Sequence, residues 1–360
     1  MSHNITVEGG ASVRLKTAGK YCDQDIVVTA SGGSGGEPSE LESSYRAVLE
    51  GSGSISAFPS GLAWIRDYGF YNSRTVKLPN LPSSVTVIGS YAFYNCQNLD
   101  FTSLSSGIKT IGSHAFYGCT NLALTSLPDG VTSIGNETFY NCSKLALTSL
   151  PSGLTSIGDS AFYSCTKLAL TSLPSGLTSI GDSAFRGCSN IALASLPSGI
   201  ASISSSAFRG CSNIALASLP DSVTSIVPYA FYGCTNLALT SLPDGVTSIG
   251  NYAFYNCTNL ALTSLPSGLT SIGTYAFYNC TNLALTSLPS GLTSIGSSAF
   301  YGCTNLKSLT FEGKPTSITS SAFSNCTNLA TINVPWAEGA VAGAPWGATN
   351  ATINYNYTGE

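Results

Sequence analysis

The stretch LPSGLTSIGDSAFYSC at residues 150–165 returns almost letter for letter at 173–188, 23 residues further on. A chain that repeats itself at a fixed period is not divided into ordinary domains by its length; the period decides the architecture first. Counted from Cys165, Ile157 lies eight residues before, Phe162 three before, Leu168 three after and Leu173 eight after. This frame holds at Cys96, Cys119, Cys142, Cys165, Cys188, Cys211, Cys234, Cys257, Cys280, Cys303 and Cys326, with Ile191, Ile214 and Phe311 standing in Leu slots. Backwards it reaches FPSGLAWIRDYGFYNS, which puts Phe58, Ile65, Phe70 and Ser73 in the Leu, Ile, Phe and Cys slots. The serine suits an end rung that faces solvent. Forwards, INVPWAEGAVAGAPW opens one more rung at Val334 and then departs from it, as a capping repeat does.

A single rung cannot bury its own apolar residues, but stacked rungs can, each slot lying over its copy in columns of Ile, Phe, Leu and Cys. Twelve rungs span residues 58–333; at ~4.8 Å per stacked strand the body is expected to be about 55–60 Å long. Within a rung, LTSI and LALTSL read as short strands. The P-[SD]-G between them reads as a turn, because Pro fixes φ and Gly accepts φ > 0. GDSAFYSC reads as a helical or 3₁₀ turn with Ala161, Phe162 and Cys165 facing inward. The last full repeat, CTNLKSLTF, has an L-x-x-L-x-F step. The inner LALTSL moves one leucine by a residue, which leaves a bulge or tilt of that strand open.

The pattern L-P-x-x-[LV]-x-x-I-x-x-x-A-F-x-x-C-x-x-L resembles the BspA-like class of leucine-rich repeats over residue 58 to about residue 334. The VPWAEGAV…APW ending is similar to the capping tail of that class. The fold expected is therefore a β-rich, mixed solenoid of 23-residue repeats, with residues 334–360 as C-terminal cap. Ahead of it, residues 1–30 read as a small β attachment module, 31–44 (SGGSGGEPSE and its flanks) as a flexible linker, and 45–57 as a lead-in to the N-terminal cap. GKYCDQDIVVTA resembles an opening seen on tail-associated proteins of phages that infect gut Firmicutes. That likeness implies attachment to other tail proteins through residues 1–57, a homo-oligomer formed there, and a place in a virion tail, reached outside the cell by lysis. The opening MSHNITVEGG has no charged n-region or apolar core of a secretory signal.

An odd column of eleven cysteines suits a ladder of buried, reduced thiols acting as small apolar residues. Bridges between neighbouring rungs are the alternative, since strand spacing falls within disulfide reach. Charged residues are 9% of the chain and the net charge is -4. That gives no basic field for nucleic acid, and no apolar run is long enough for membrane insertion. No catalytic constellation appears. His3 and His114 have no carboxylate near them in sequence, and there is no C-x-x-C, P-loop or G-x-G-x-x-G after a strand. Asp129, Asp159, Asp182 and Asp244 occupy turn or cap slots, where they are expected to accept backbone N–H bonds. No enzyme, cofactor or metal is expected.

Function then falls to outward slots that the fold does not need. The slot after Phe holds Tyr71, Tyr94, Tyr117, Tyr140 and Tyr163, then Arg186 and Arg209, then Tyr232, Tyr255, Tyr278 and Tyr301. The slot three after Ile holds Tyr68, Tyr91 and His114, and later Tyr229, Tyr252 and Tyr275. Tyr163, Arg186, Arg209, Tyr229, Tyr232, Tyr252, Tyr255, Tyr275 and Tyr278 are the candidate binding residues. Tyrosine offers a flat apolar face and a hydroxyl to a sugar ring or a protein epitope, and the arginines favour anionic groups. The same tyrosines can equally be a structural cover packed against their neighbours. The partner expected is a bacterial surface glycan or surface protein, engaged by a phage tail-fibre component. The alternatives are a bacterial adhesin of the BspA kind or a rigid spacer.

Overall fold

The structure, a computed structural model, describes residues 7–8, 12–16, 25–29, 58, 62–74 and 77–359. Of the front of the chain, three strands are described: Val7–Glu8, Ser12–Lys16 and Asp25–Thr29, which pair antiparallel in that order. The expected linker at 31–44 and lead-in at 45–57 lie outside the described residues. The chain divides into two compact units, residues 1–170 and 171–360, and each carries the same stacked coil.

In the first unit the LTSI slot forms two-residue strands at Trp64–Ile65, Val87–Ile88 and Thr110–Ile111, paired parallel with Ile65 opposite Ile88 and Ile88 opposite Ile111. Ser133–Ile134 pairs with Ser156–Ile157 in the same way. The partners are one repeat apart, so the sequence period is also the hydrogen-bonding register. Phe70, Phe93, Phe116, Phe139 and Phe162 stack with centroids 5.3–5.5 Å apart and planes within 9°. The Ile, Leu, Ala and Cys columns beside them are buried.

The second unit repeats this with Ser225–Ile226, Ser248–Ile249, Ser271–Ile272, Ser294–Ile295 and Ser317–Ile318 in one parallel ladder. A phenylalanine column runs from Phe185 to Phe323 at 5.1–5.7 Å. Burying a ring of this size contributes about 1.5–3 kcal/mol, and each offset stack about 0.5–1.5 more.

Two sequence expectations are corrected. The LALTSL slot is not a strand in most inner repeats. Leu147 and Leu150 are buried, but Thr148 and Ser149 between them are both exposed. The LTSI slot has the same outward pair, Thr155 and Ser156 between buried Leu154 and Ile157, and its strand is confined to two residues, Ser156–Ile157. In the last full repeat the outward pair, Lys307 and Ser308, comes earlier, and Leu309, Thr310 and Phe311 then alternate. A strand duly forms at Ser308–Phe311, flanked by Ser287–Leu288 and Thr331–Asn333.

The GDSAFYSC slot is not a helical or 3₁₀ segment either; among the described residues none is assigned there. Tyr252 and Asn256 have φ of 57° and 56°, which a right-handed helix cannot absorb. Alternate N–H groups consequently leave the rung. Those of Tyr252, Phe254 and Asn256 donate to the carbonyls of Thr274, Ala276 and Tyr278, while those of Ala253, Tyr255 and Cys257 donate three residues back. The segment is a chain of single turns stitched to the next rung. The inward direction of Ala, Phe and Cys is as the pattern predicts: Ala161, Phe162 and Cys165 are fully buried.

The C-terminal cap closes the second unit. Trp336 and Trp346 lie against Phe311 at 5.3 and 6.0 Å, and Thr352–Asn354 adds a last parallel strand to Thr331–Asn333. The Trp346 carbonyl accepts the Phe323 N–H at 2.9 Å, the bond that the next rung supplies elsewhere.

Candidate functional site

The cysteine column consists of free, buried thiols. Along the column S–H donates to the carbonyl of the phenylalanine one rung back, as in Cys142 to Phe116, Cys234 to Phe208 and Cys280 to Phe254, all at 3.0 Å. Burial pushes the thiols up, Cys96 to about 12, so the nucleophilic thiolate is suppressed. Ser73, in the same slot of the first described repeat, is also buried rather than solvent-facing, at 7% exposure. The acidic cap slot is structural: Asp67 and Asp182 accept the N–H of Ser90 and Ser205 at 2.7 and 3.0 Å. The threonines of the LTSI slot likewise donate hydroxyls to the preceding rung, Thr270 to Thr247 at 3.0 Å. Among the described residues, no group of His, Cys, Asp and Glu is placed to hold a metal ion, and no helix is long and apolar enough to cross a membrane.

The outward slots form aromatic ladders. In the first unit Tyr71, Tyr94, Tyr117, Tyr140 and Tyr163 stack at 4.4–4.9 Å. Beside them Tyr68 stacks on Tyr91 at 4.8 Å, and Tyr91 on His114 at 4.4 Å. His114 Nε2 lies 3.4 Å from Glu137 Oε2. Reading along the chain missed that pair; reading down the slot, where 114 plus one period is 137, finds it. Burial, then the neighbouring phenols Tyr94 and Tyr140 and the Glu137 carboxylate, push Tyr117 up to about 12.

In the second unit the structure brings most of the candidate residues together. Tyr232, Tyr255, Tyr278 and Tyr301 stack at 4.6 Å with planes within 5°. Tyr229, Tyr252 and Tyr275 stack alongside at 4.8–4.9 Å. The columns touch within each rung, Tyr252 to Tyr255 at 5.9 Å and Tyr275 to Tyr278 at 5.7 Å. Arg209 ends both, its guanidinium carbon 4.6 Å from the Tyr232 centroid and 5.2 Å from that of Tyr229. Arg186 occupies the same slot one repeat earlier and is half-buried; Tyr163 belongs to the ladder of the first unit.

This geometry changes what the tyrosines can offer. The faces of Tyr252, Tyr255 and Tyr278 are each covered on both sides by the neighbouring rings. A sugar stacked flat on a ring, the contact that the sequence suggested, has no place there. What a half-buried ring still presents is its edge and its hydroxyl, and the aromatic edge is the positive part of the quadrupole.

The backbone adds a second observation. Tyr229, Tyr252 and Tyr275 have φ of 55–60°, a left-handed conformation that costs about 1–2 kcal/mol outside glycine. Ser160, Ser183, Ser206 and Ser298 fill the same slot at φ of 51–56°. The coil therefore closes without an aromatic residue in that slot.

The profile of the BspA type leucine rich repeat region matches residues 63–192, 110–238 and 224–338. Among solved structures, the chain is similar to a leucine rich cell surface protein of Faecalibacterium prausnitzii A2-165, with 26% identity and TM-score 0.54, covering 94% of this chain and 96% of that one. A leucine-rich repeat protein of Bacteroides ovatus is 24% identical, with TM-score 0.49 over 84% of this chain and 68% of its own. A comparison with curated proteins found no match.

Proposed function

We propose that this chain, which belongs to the BspA-type leucine-rich repeat family, is a non-enzymatic recognition module presented at a surface. It binds its partner, a bacterial surface glycan, through the tyrosine ladders. The observation that carries this reading is the set of tyrosines at left-handed positions that serine fills at equal φ in other repeats. The conformation belongs to the coil whichever residue fills the slot, so the fold does not require an aromatic residue there.

Two carriers suit such a module. The similarity to a bacterial cell surface protein that spans nearly the whole of both chains supports a cell-surface adhesin. The resemblance of GKYCDQDIVVTA to phage tail-associated openings supports a tail-fibre component, and for that carrier residues 1–57 are the attachment to other tail proteins.

The test is a glycan array probed with the full chain and with the double variant Tyr232→Ser, Tyr255→Ser. Serine already occupies exposed slots of these rungs, so the coil is expected to fold, which circular dichroism checks. Binding is expected in the parent and lost in the variant. Equal binding by a folded variant removes the ladder as the site.

A further inference from the structure

The second unit's ladder has a direction. At one end Arg209 lies over Tyr232 and Tyr229. From there phenol rings recur at 4.6–4.9 Å as far as Tyr301, whose hydroxyl accepts a 2.8 Å bond from Asn325 Nδ2. Stacking on the rings holds the guanidinium plane and leaves its N–H edge to engage an anion in a two-pronged contact. No carboxylate lies within salt-bridge distance of Arg209 among the described residues. Beyond it the track is uncharged in both slots: Tyr229, Tyr252 and Tyr275 in one, Tyr232, Tyr255, Tyr278 and Tyr301 in the other.

We infer that this ladder reads a linear glycan carrying an acid group at one end, the acid seated on Arg209 and successive neutral sugars laid one per rung along the ring edges. The inference rests on the recognition role proposed above and names the class of its ligand. Three features favour it. Ring edges and hydroxyls are what the covered rings still present, and they suit oxygen-rich chains better than apolar ones. The rung repeat of 4.6–4.9 Å is about the length of one pyranose in an extended chain, so sugars keep register over several rungs. An extended peptide advances only ~3.3 Å per residue and drifts out of register after one rung. Finally, the arginines of this slot, Arg209 and Arg186 one repeat earlier, lie at one end and the rest of the track is uncharged, which matches a chain acidic at one end rather than a polyanion. The shared chemistry of that acid is a carboxylate or a phosphate, both of which fit a guanidinium edge.

The experiment measures affinity of the full chain for linear pentasaccharides of galactose, glucose and mannose. Each is made with a neutral end, with a single uronic acid at that end, and with a sugar phosphate there; pentaglutamate is added as a peptide probe. The acid-ended form of at least one series is expected to bind about tenfold more tightly than its neutral form. Arg209→Gln is expected to erase that preference. Tyr252→Phe with Tyr255→Phe, which keeps the stack and removes hydroxyls, is expected to weaken both forms about three- to tenfold. The carboxylate and phosphate arms identify the acid. Equal affinity for acidic and neutral chains, or a preference unaffected by Arg209→Gln, overturns the inference. If neutral glycans still bind and the Tyr232→Ser, Tyr255→Ser variant loses them, the recognition role survives without it. Tightest binding to pentaglutamate overturns it in favour of an acidic peptide, and no oligosaccharide binding at all overturns both readings.

Discussion

At the scale of single residues, cysteine is more than a small apolar filler. Cys234 is fully buried and gives its S–H to the Phe208 carbonyl at 3.0 Å, while that oxygen also accepts the Cys211 N–H at 3.0 Å. Cys234→Val fills the space without the donor, and the carbonyl keeps its backbone partner. The variant is expected to lose about 0.5–1.5 kcal/mol in urea denaturation. Cys234→Ala adds a small void and is expected to lose more. Tyr117 gives a pH prediction. Its folded pKa of about 12 lies above the ordinary phenol value near 10, so folding favours the protonated ring. That contribution is complete below about pH 10 and is lost as pH rises to about 12. Phenolate absorbance should rise together with loss of near-ultraviolet dichroism, and Tyr117→Phe should flatten the alkaline fall in stability. The sequence disclosed the residue type in each slot. It did not disclose the thiol's acceptor or the covered ring faces, because both depend on atoms one rung away.

At the scale of the element, the rung is set by how closely its neighbours approach. A Cβ on Gly250 would lie 2.6 Å from the Pro228 nitrogen and 2.8 Å from the Val227 carbonyl carbon. Where this slot holds Val227, the rung makes only a single bridge, Ile203 to Ile226, with the rung before. Gly250→Ala is expected to cost about 1–3 kcal/mol by overpacking. Gly153, in the P-S-G turn, has nothing within 4 Å of where a methyl group would lie, and its φ is not left-handed. Gly153→Ala is expected to be neutral or stabilising by up to about 1 kcal/mol, and paired thermal melts compare the two. Both are glycines at fixed repeat positions, and the letter alone does not separate a turn from a close approach. The LTSI strand was legible because β-branched Thr and Ile recur in one slot after each turn. The turn segment was misread as helical because Ala-Phe-x-x-Cys spacing also suits a helix, and only the two left-handed residues per rung exclude one.

At the scale of the whole chain, stacked repeats draw stability from their neighbours, so a terminal rung needs a partner of a different kind. In the second unit that partner is Trp346, fully buried and bonded through its carbonyl to the Phe323 N–H. Trp346→Ala is expected to cost about 3–5 kcal/mol. Hydrogen exchange should show Phe323 losing protection before Phe254, which lies well inside the stack. Unchanged exchange at Phe323 would mean that the cap is dispensable.

The sequence by itself determined the period, the slots and which residues face inward. A strict 23-residue repeat has one way to bury its apolar residues, by laying each over its copy. The capping tail was legible for the same reason, as the place where the repeat stops. Tertiary structure alone decided what the outward tyrosines present. Residues that are a full period apart in the chain become face-to-face neighbours at 4.6 Å, and a ring stacked on both faces can meet a partner only with its edge and its hydroxyl.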